Sequence, residues 1–384
     1  MNKKILALKY RPKFFNEVIG QDFCVQSLVN SINLNKLHNA YLFSGTRGVG
    51  KTTIARIFAK SLLCKEGISE SPCGKCESCL AIDNNNNLDL IEIDAASRTK
   101  VEDTRTLMEN VQYAPTSSRF KIYLIDEVHM LSTKSFNALL KTIEEPPEHV
   151  KFLLATTDPD KLPETVISRC LHFKLESITN DILSNHIKQT LEKESVKFEA
   201  DVPNIIAESA RGSARDSMSI LEQCISYGNE NLTTDKISHL LGIIDEKVIN
   251  DIVTHLFHKR LDNIIDIMKA NEINDYSKLL DCITERIFQI SISRQTNKNI
   301  HNLPELFLKD TIKLEDLQLW YSILLQAKDD LYIASSKADH LVMIFLRIML
   351  FTEYSSINDM KVTCHLYTSD AADERSSVDL GGRR

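Results

Sequence analysis

Residues 40–63 read AYLFSGTRGVGKTTIARIFAKSLL, and the centre of that stretch decides the fold. Gly45-Thr46-Arg47-Gly48-Val49-Gly50-Lys51-Thr52 fits the pattern GxxxxGK[ST]. An apolar strand, Ala40 to Ser44, leads into it. A helix from Thr52 to Leu63 follows, with apolar residues at 54, 57, 58 and 62. The glycines let the backbone curl into a nest of N–H donors around phosphate, and the helix N-terminus adds partial positive charge. Lys51 is expected to reach the β- and γ-phosphates, and the Thr52 hydroxyl, with Thr53 beside it, to serve a phosphate-bound Mg²⁺. These residue types bind ATP or GTP.

Working outward, Ile122-Tyr123-Leu124-Ile125 ends in Asp126-Glu127. Two carboxylates at the C-terminal end of a buried strand stand where an open α/β sheet places its ligand. Asp126 is expected to orient the metal shell and Glu127 to polarise the attacking water. Further strands are read at 88–94 (LDLIEID), 121–126 (KIYLID) and 150–156 (VKFLLAT). Phe136, Leu139, Leu140 and Ile143 mark one face of a helix that Pro146-Pro147 ends. The fold class is therefore α/β with a parallel sheet over residues 1–178. After Phe173 everything reads as helix: segments broken at Gly212 and Gly228 up to about 242, then an all-helical stretch from 243 onward.

Cys64, Cys73, Cys76 and Cys79 are spaced C-x8-C-x2-C-x2-C, with Pro72 and Gly74 bending the loop. Four thiolates in reach of one another suit a structural Zn²⁺, with an iron–sulfur cluster as the alternative. The other five cysteines of nine are scattered and read as small buried residues. His129 has no second ligand nearby in sequence and reads as structural.

Composition narrows the class. The chain has 384 residues, 43% hydrophobic and 26% charged, which suits two or three packed domains and excludes disorder as the dominant state. Its net charge of −7 leaves no global positive field to attract nucleic acid, so such contacts need local basic patches. Met1 to Tyr10 has basic residues but no sustained apolar stretch or small-residue cleavage site, so no signal peptide is expected. The longest apolar run, Leu341 to Phe351, is interrupted by Arg347 and is too short to span a bilayer. A cytoplasmic location without membrane contact is expected. From Cys364 the chain reads CHLYTSDAADERSSVDLGGRR, which resembles a translated sequencing-library adaptor. Residues 364–384 are expected to be a non-native tail and are set aside.

The stretches LKYRPKFFNEVIGQ (8–21), the phosphate loop, the four-cysteine insert, residues 125–170 (IDEVHML to ISRC) and GSARDSMSILEQC (212–224) together resemble the gamma/tau subunit family of the bacterial DNA polymerase III clamp loader, ATPases of the AAA+ class. The likeness covers residues 3 to about 360. It implies an AAA+ nucleotide-binding domain over 1–178, a helical lid over 179–242 and a helical collar for oligomerisation over 243–363. It also implies ATP as the nucleotide.

In that family pattern Thr157 matches the sensor of the γ-phosphate, with adjacent Thr156 the lesser candidate. Arg169 matches the arginine finger supplied to a neighbouring subunit, and Arg215 a second sensor on the lid. Tyr10, Arg11 and Pro12, with Val18, Ile19 and Gly20, match the segment around the adenine. Arg98, Lys100 and Arg105 match basic residues that track DNA phosphates, although a solvated helix face would look the same. The implied partners are homologous subunits in a hetero-oligomer with a five-subunit core, the sliding clamp, primer–template DNA and, through a longer form, the polymerase core. The resemblance implies bacterial replication machinery at the nucleoid, and no polymerase active site in this chain. Two rivals remain: another AAA+ motor such as a branch-migration helicase, and a non-catalytic subunit that binds ATP to hold its shape.

Overall fold

The computed structural model describes residues 5–96, 110–228, 231–271, 273–299, 303–308 and 312–354. They fall into two compact units that divide between Leu241 and Gly242.

The first unit is built on five strands: β1 (Ala40–Ser44), β2 (Leu90–Asp94), β3 (Lys121–Asp126), β4 (Val150–Thr156) and β5 (Leu171–Lys174). Their order is β2-β3-β4-β1-β5, and every neighbouring pair is parallel. A parallel sheet is covered on both faces, so its inner strands read as continuous apolar runs. All residues of β1 and β4 are buried. Alternation then sorts them. Tyr41, Phe43, Leu124 and Leu153 join Ile54, Phe58 and Leu62 of the helix Lys51–Leu63 on one face. Ala40, Leu42, Ile125, Phe152 and Leu154 join Phe136, Leu139 and Ile143 of the helix Thr133–Glu144 on the other. Ser132 caps that second helix by accepting from the Ser135 N–H at 3.2 Å. Leu139 is fully buried, so truncation to Ala would cost about 2–5 kcal/mol.

Three details depart from the sequence reading. First, Leu171–Lys174 is a fifth strand; it lies at the sheet edge with only Phe173 buried, too short and too one-sided to announce itself. Second, β2 starts at Leu90 rather than residue 88. The Asn87 side-chain oxygen accepts from the Asp89 and Leu90 N–H groups at 2.9 and 3.1 Å, folding a local turn. Third, the region read as wholly helical contains β6 (Lys197–Phe198) and β7 (Asn231–Leu232), a two-residue parallel pair. Such a pair carries no periodic signal.

Beyond the sheet, the helices Asn180–Lys193, Val202–Ser209, Ala214–Gly228 and Thr234–Leu240 share their own apolar core, which includes Leu183, Ile187, Ile206 and Leu221. The second unit is all helical. Its core gathers Trp320, Phe307, Phe345 and Leu317, with the Phe257 and Trp320 rings 5.5 Å apart, edge to face. The Leu341–Phe351 run lies on the helix Lys337–Tyr354, burying Leu341, Ile344, Phe345 and Ile348. Among the described residues no helix is long and apolar enough to cross a membrane. Arg98, Lys100, Arg105 and the segment 364–384 lie outside the described residues.

Candidate nucleotide-binding site and cysteine centre

Because β4 sits between β1 and β3, the C-terminal ends of three strands line one edge. They deliver the phosphate loop, Thr156-Thr157 and Asp126-Glu127 side by side. The loop is shaped for glycine. A Cβ on Gly48, at φ +80°, would stand 1.9 Å from Ser213 Oγ; one on Gly45 would stand 2.5 Å from the Leu175 carbonyl oxygen. Thr46 and Arg47 are exposed on the loop, and Val49 is buried beneath it.

Lys51 is buried and donates to the carbonyls of Gly45 and Thr46 at 2.8 and 2.9 Å. Burial lowers its pKa, against the opposing pull of Glu127 and Asp126. The Thr52 hydroxyl donates to Asp126 Oδ2 at 2.7 Å, and the Glu127 N–H donates to Asp126 Oδ1 at 3.0 Å. Glu127 Oε2 accepts from both the backbone N–H and the hydroxyl of Thr157, at 3.1 and 2.9 Å. Of the two adjacent threonines, Thr157 therefore engages Glu127, while fully buried Thr156 turns to His129 at 3.0 Å. His129 Nδ1 also lies 3.4 Å from Glu127 Oε2. Sequence alone left His129 outside the site, since no spacing signals a contact made through a neighbouring strand.

The N-terminal segment closes over the loop. Arg11 donates to Thr53 Oγ1 at 3.1 Å, and burial together with Arg56 and Arg215 lowers its pKa to about 10. Tyr10 bonds Glu194 at 2.6 Å, and a Cβ on Gly20 would meet Ile178 at 3.0 Å. Val18 packs against the sheet core and Ile19 against the helical core. Gln21, which the sequence reading did not single out, joins three segments. Its side-chain amide reaches the Glu176 carbonyl at 2.7 Å and the Val49 carbonyl at 3.5 Å, and its oxygen accepts from the Glu176 N–H. Pro12 follows Arg11 without a polar role.

The Arg215 N–H approaches the Gly48 carbonyl at 3.4 Å, so the helix Ala214–Gly228 begins against the loop. Arg169 stands apart from these residues. It is 38% exposed, pairs with Glu144 at 2.9 Å and donates to the Thr165 carbonyl.

The four cysteines converge. One ligand atom from each of Cys64, Cys73, Cys76 and Cys79 lies within 4.8 Å of all the others, and none forms a disulfide. Cys76 caps the helix Glu77–Asp83, accepting from the Cys79 N–H. Burial raises its pKa, but N–H donors from Lys65 and Cys79 and the neighbouring thiols overcome this and bring it to about 6. A low-pKa thiol among three others is a donor set suited to a tetrahedral soft cation. The cluster is braced: Lys60, 2% exposed, pairs with Asp83 at 2.8 Å, and a Cβ on Gly74 would touch the Phe14 ring.

Residues 20–179 match the family described as DNA polymerase III, delta subunit, and residues 182–230 match the DNA polymerase III clamp loader subunit, ATPase lid domain. The chain is 46% identical over 358 residues to the DNA polymerase III subunit tau/gamma of Haemophilus influenzae, covering 91% of this chain and 52% of that one. Against the tau subunit of Escherichia coli the identity is 44%, with 91% and 56% covered. Thus the chain spans about half the length of these two relatives. It is 43% identical to the gamma subunit of Buchnera aphidicola subsp. Baizongia pistaciae, covering 97% of that protein. A solved structure of the Thermotoga maritima RuvB Holliday junction branch migration motor aligns over 69% of this chain and 86% of its own, at 20% identity and a TM-score of 0.47. On identity and coverage, the chain belongs to the gamma/tau subunit family of DNA polymerase III.

Proposed function

We propose that this chain is an ATP-hydrolysing subunit of a clamp loader, using nucleotide binding and turnover to place a sliding clamp on primed DNA. The observation that carries the reading is the meeting of Thr52, Asp126, Glu127 and Thr157 beside Lys51 at one sheet edge. In this reading Lys51 exchanges its two loop carbonyls for the β- and γ-phosphates. Thr52 and Asp126 hold Mg²⁺, which neutralises charge on the phosphate oxygens when bound. Glu127 takes the proton of the attacking water, with Thr157 holding its carboxylate. Arg215 reaches the phosphates from the lid, and the segment around Tyr10, Arg11, Pro12, Val18 and Ile19 receives the adenine. Arg169, half-buried against Glu144, serves the nucleotide of a neighbouring subunit rather than its own.

The cysteine centre holds a structural Zn²⁺, since four thiolates leave no open position for chemistry. We read residues 1–178 as the nucleotide-binding domain, 179–242 as the lid and 243–363 as the collar that assembles with homologous subunits. Primer–template DNA and the clamp are its working partners. The polymerase core is reached through a longer form, and the setting is the bacterial cytoplasm. The test is the ATPase rate of the assembled complex with clamp and primed DNA, separately and together. Joint stimulation is expected; a rate indifferent to both would sink the reading.

A further inference from the structure

Glu127 has a left-handed backbone, φ 48° and ψ 46°, although it is not glycine. That conformation costs about 1–2 kcal/mol and persists only where the surroundings enforce it. Oxygen Oε2 of its carboxylate takes both Thr157 donors and faces His129 Nδ1 at 3.4 Å. Among the described residues no hydrogen bond reaches Oε1.

Thr156 bears on the tautomer of His129. That hydroxyl donates to the Asp158 carbonyl at 3.1 Å and accepts from the Asp158 N–H at 3.1 Å. A hydroxyl has one hydrogen, which serves either the Asp158 carbonyl or His129 Nδ1. With that hydrogen on the Asp158 carbonyl, the ring nitrogen is the donor in its 3.0 Å contact with Thr156 Oγ1. In that tautomer Nδ1–H is directed at Thr156, with Glu127 Oε2 3.4 Å from the same nitrogen. The His129 side chain is only 10% exposed, so few rotamers compete with this one.

We propose that His129 is a positioning residue for Glu127. Held by Thr156 as the Nδ1–H tautomer, the ring sets its N–H edge 3.4 Å from Oε2 and backs the two Thr157 donors that anchor that oxygen, so that Oε1 is the oxygen presented to the attacking water. The inference rests on the reading of Glu127 as the base. Thr156 ends β4, Thr157 follows it and His129 follows β3, so the register of those two strands sets the aim of the carboxylate.

The test uses the full chain in the assembled complex, with clamp, primed DNA and ATP. His129→Leu should lower kcat about tenfold or more while KM moves less than about twofold, the mark of an interaction that acts at the chemical step. His129→Asn can return an amide N–H near the Nδ1 position, and should recover most of that loss. Nitrogen-15 spectra of ring-labelled full chain should show the Nδ1–H tautomer. A kcat within twofold for His129→Leu, equal losses for Leu and Asn, or an Nε2–H ring would each overturn the proposal. If His129→Leu does not fold, the Asn variant and the ring spectrum decide. Glu127→Gln separates the two readings. Turnover that survives it removes Glu127 as base, whereas turnover lost there and kept in His129→Leu removes only the positioning role.

Discussion

The Thr52 hydroxyl donates to Asp126 Oδ2 across 2.7 Å, though 74 residues separate them in the chain. One comes from the helix that follows β1, the other from the end of β3, and β4 lies between those strands. In the proposed reading, this hydroxyl and carboxylate share one cation. Thr52→Val keeps the shape and removes the oxygen. It is expected to weaken Mg²⁺-dependent ATP binding about 10- to 100-fold, the scale for losing a group that orders a metal site. Magnesium-free binding should change little. Calorimetry with and without Mg²⁺ checks this, and unchanged affinity in Mg²⁺ would dismiss the shared-cation role.

Glu127→Gln preserves size and loses the basic oxygen. ATP should still bind, while turnover falls about 10²- to 10⁴-fold, the contribution of a positioned general base. Nucleotide retention and single-turnover hydrolysis read the two effects separately.

Arg169 faces outward, with Glu144 as its partner. If it acts as proposed, Arg169→Ala should leave the subunit's own ATP affinity intact and slow hydrolysis at the adjacent subunit about 10³-fold or more, the scale for an arginine finger. Complexes carrying the variant at one defined position reveal which site is slowed. Slowing confined to the variant's own site would contradict a role in trans.

Removing metal should loosen the module between Cys64 and Asp83, which the Lys60–Asp83 pair and the Phe14 contact tie to the unit. One zinc per chain is expected by elemental analysis. Cys79→Ser should lower stability by about 2 kcal/mol or more, a fall of about 4–8 °C for a unit of this size. Proteolysis after chelation should begin in this segment; an unchanged cleavage pattern would argue against a structural metal.

Asp89 is fully buried and accepts from the N–H groups of Thr116 and Ser117 at 2.6 and 2.9 Å. Burial alone would raise its pKa, but these donors win and hold it below its usual 3.8. A depressed carboxylate pKa stabilises the fold fully above the unfolded value, and the gain is lost as pH falls through the folded one. Asp89→Asn should therefore destabilise the first unit by about 1.5–3 kcal/mol at neutral pH and by progressively less below pH 4. Chemical denaturation at pH 7 and pH 3 tests the convergence.

The parts legible in the sequence were those that a short stretch of backbone encodes by itself. The run from Gly45 to Thr52 makes a phosphate nest because its glycines permit positive φ and its helix starts at once, whatever surrounds it. The cysteine spacing brings four thiols together through one bent loop and one capped helix, and the apolar runs of β1, β3 and β4 announce burial on both faces. Tertiary structure decided what depends on strand order. Placing β4 between β1 and β3 sets Thr157 rather than Thr156 against Glu127 and draws His129 into the site, while β5 beside β1 gives Gln21 its role as a clasp. Leu171–Lys174 and the pair at 197–198 and 231–232 became strands only because a partner was waiting. Periodicity reports which face of a segment is buried; it cannot report which distant segment does the burying, and the chemistry of this site lies in those distant contacts.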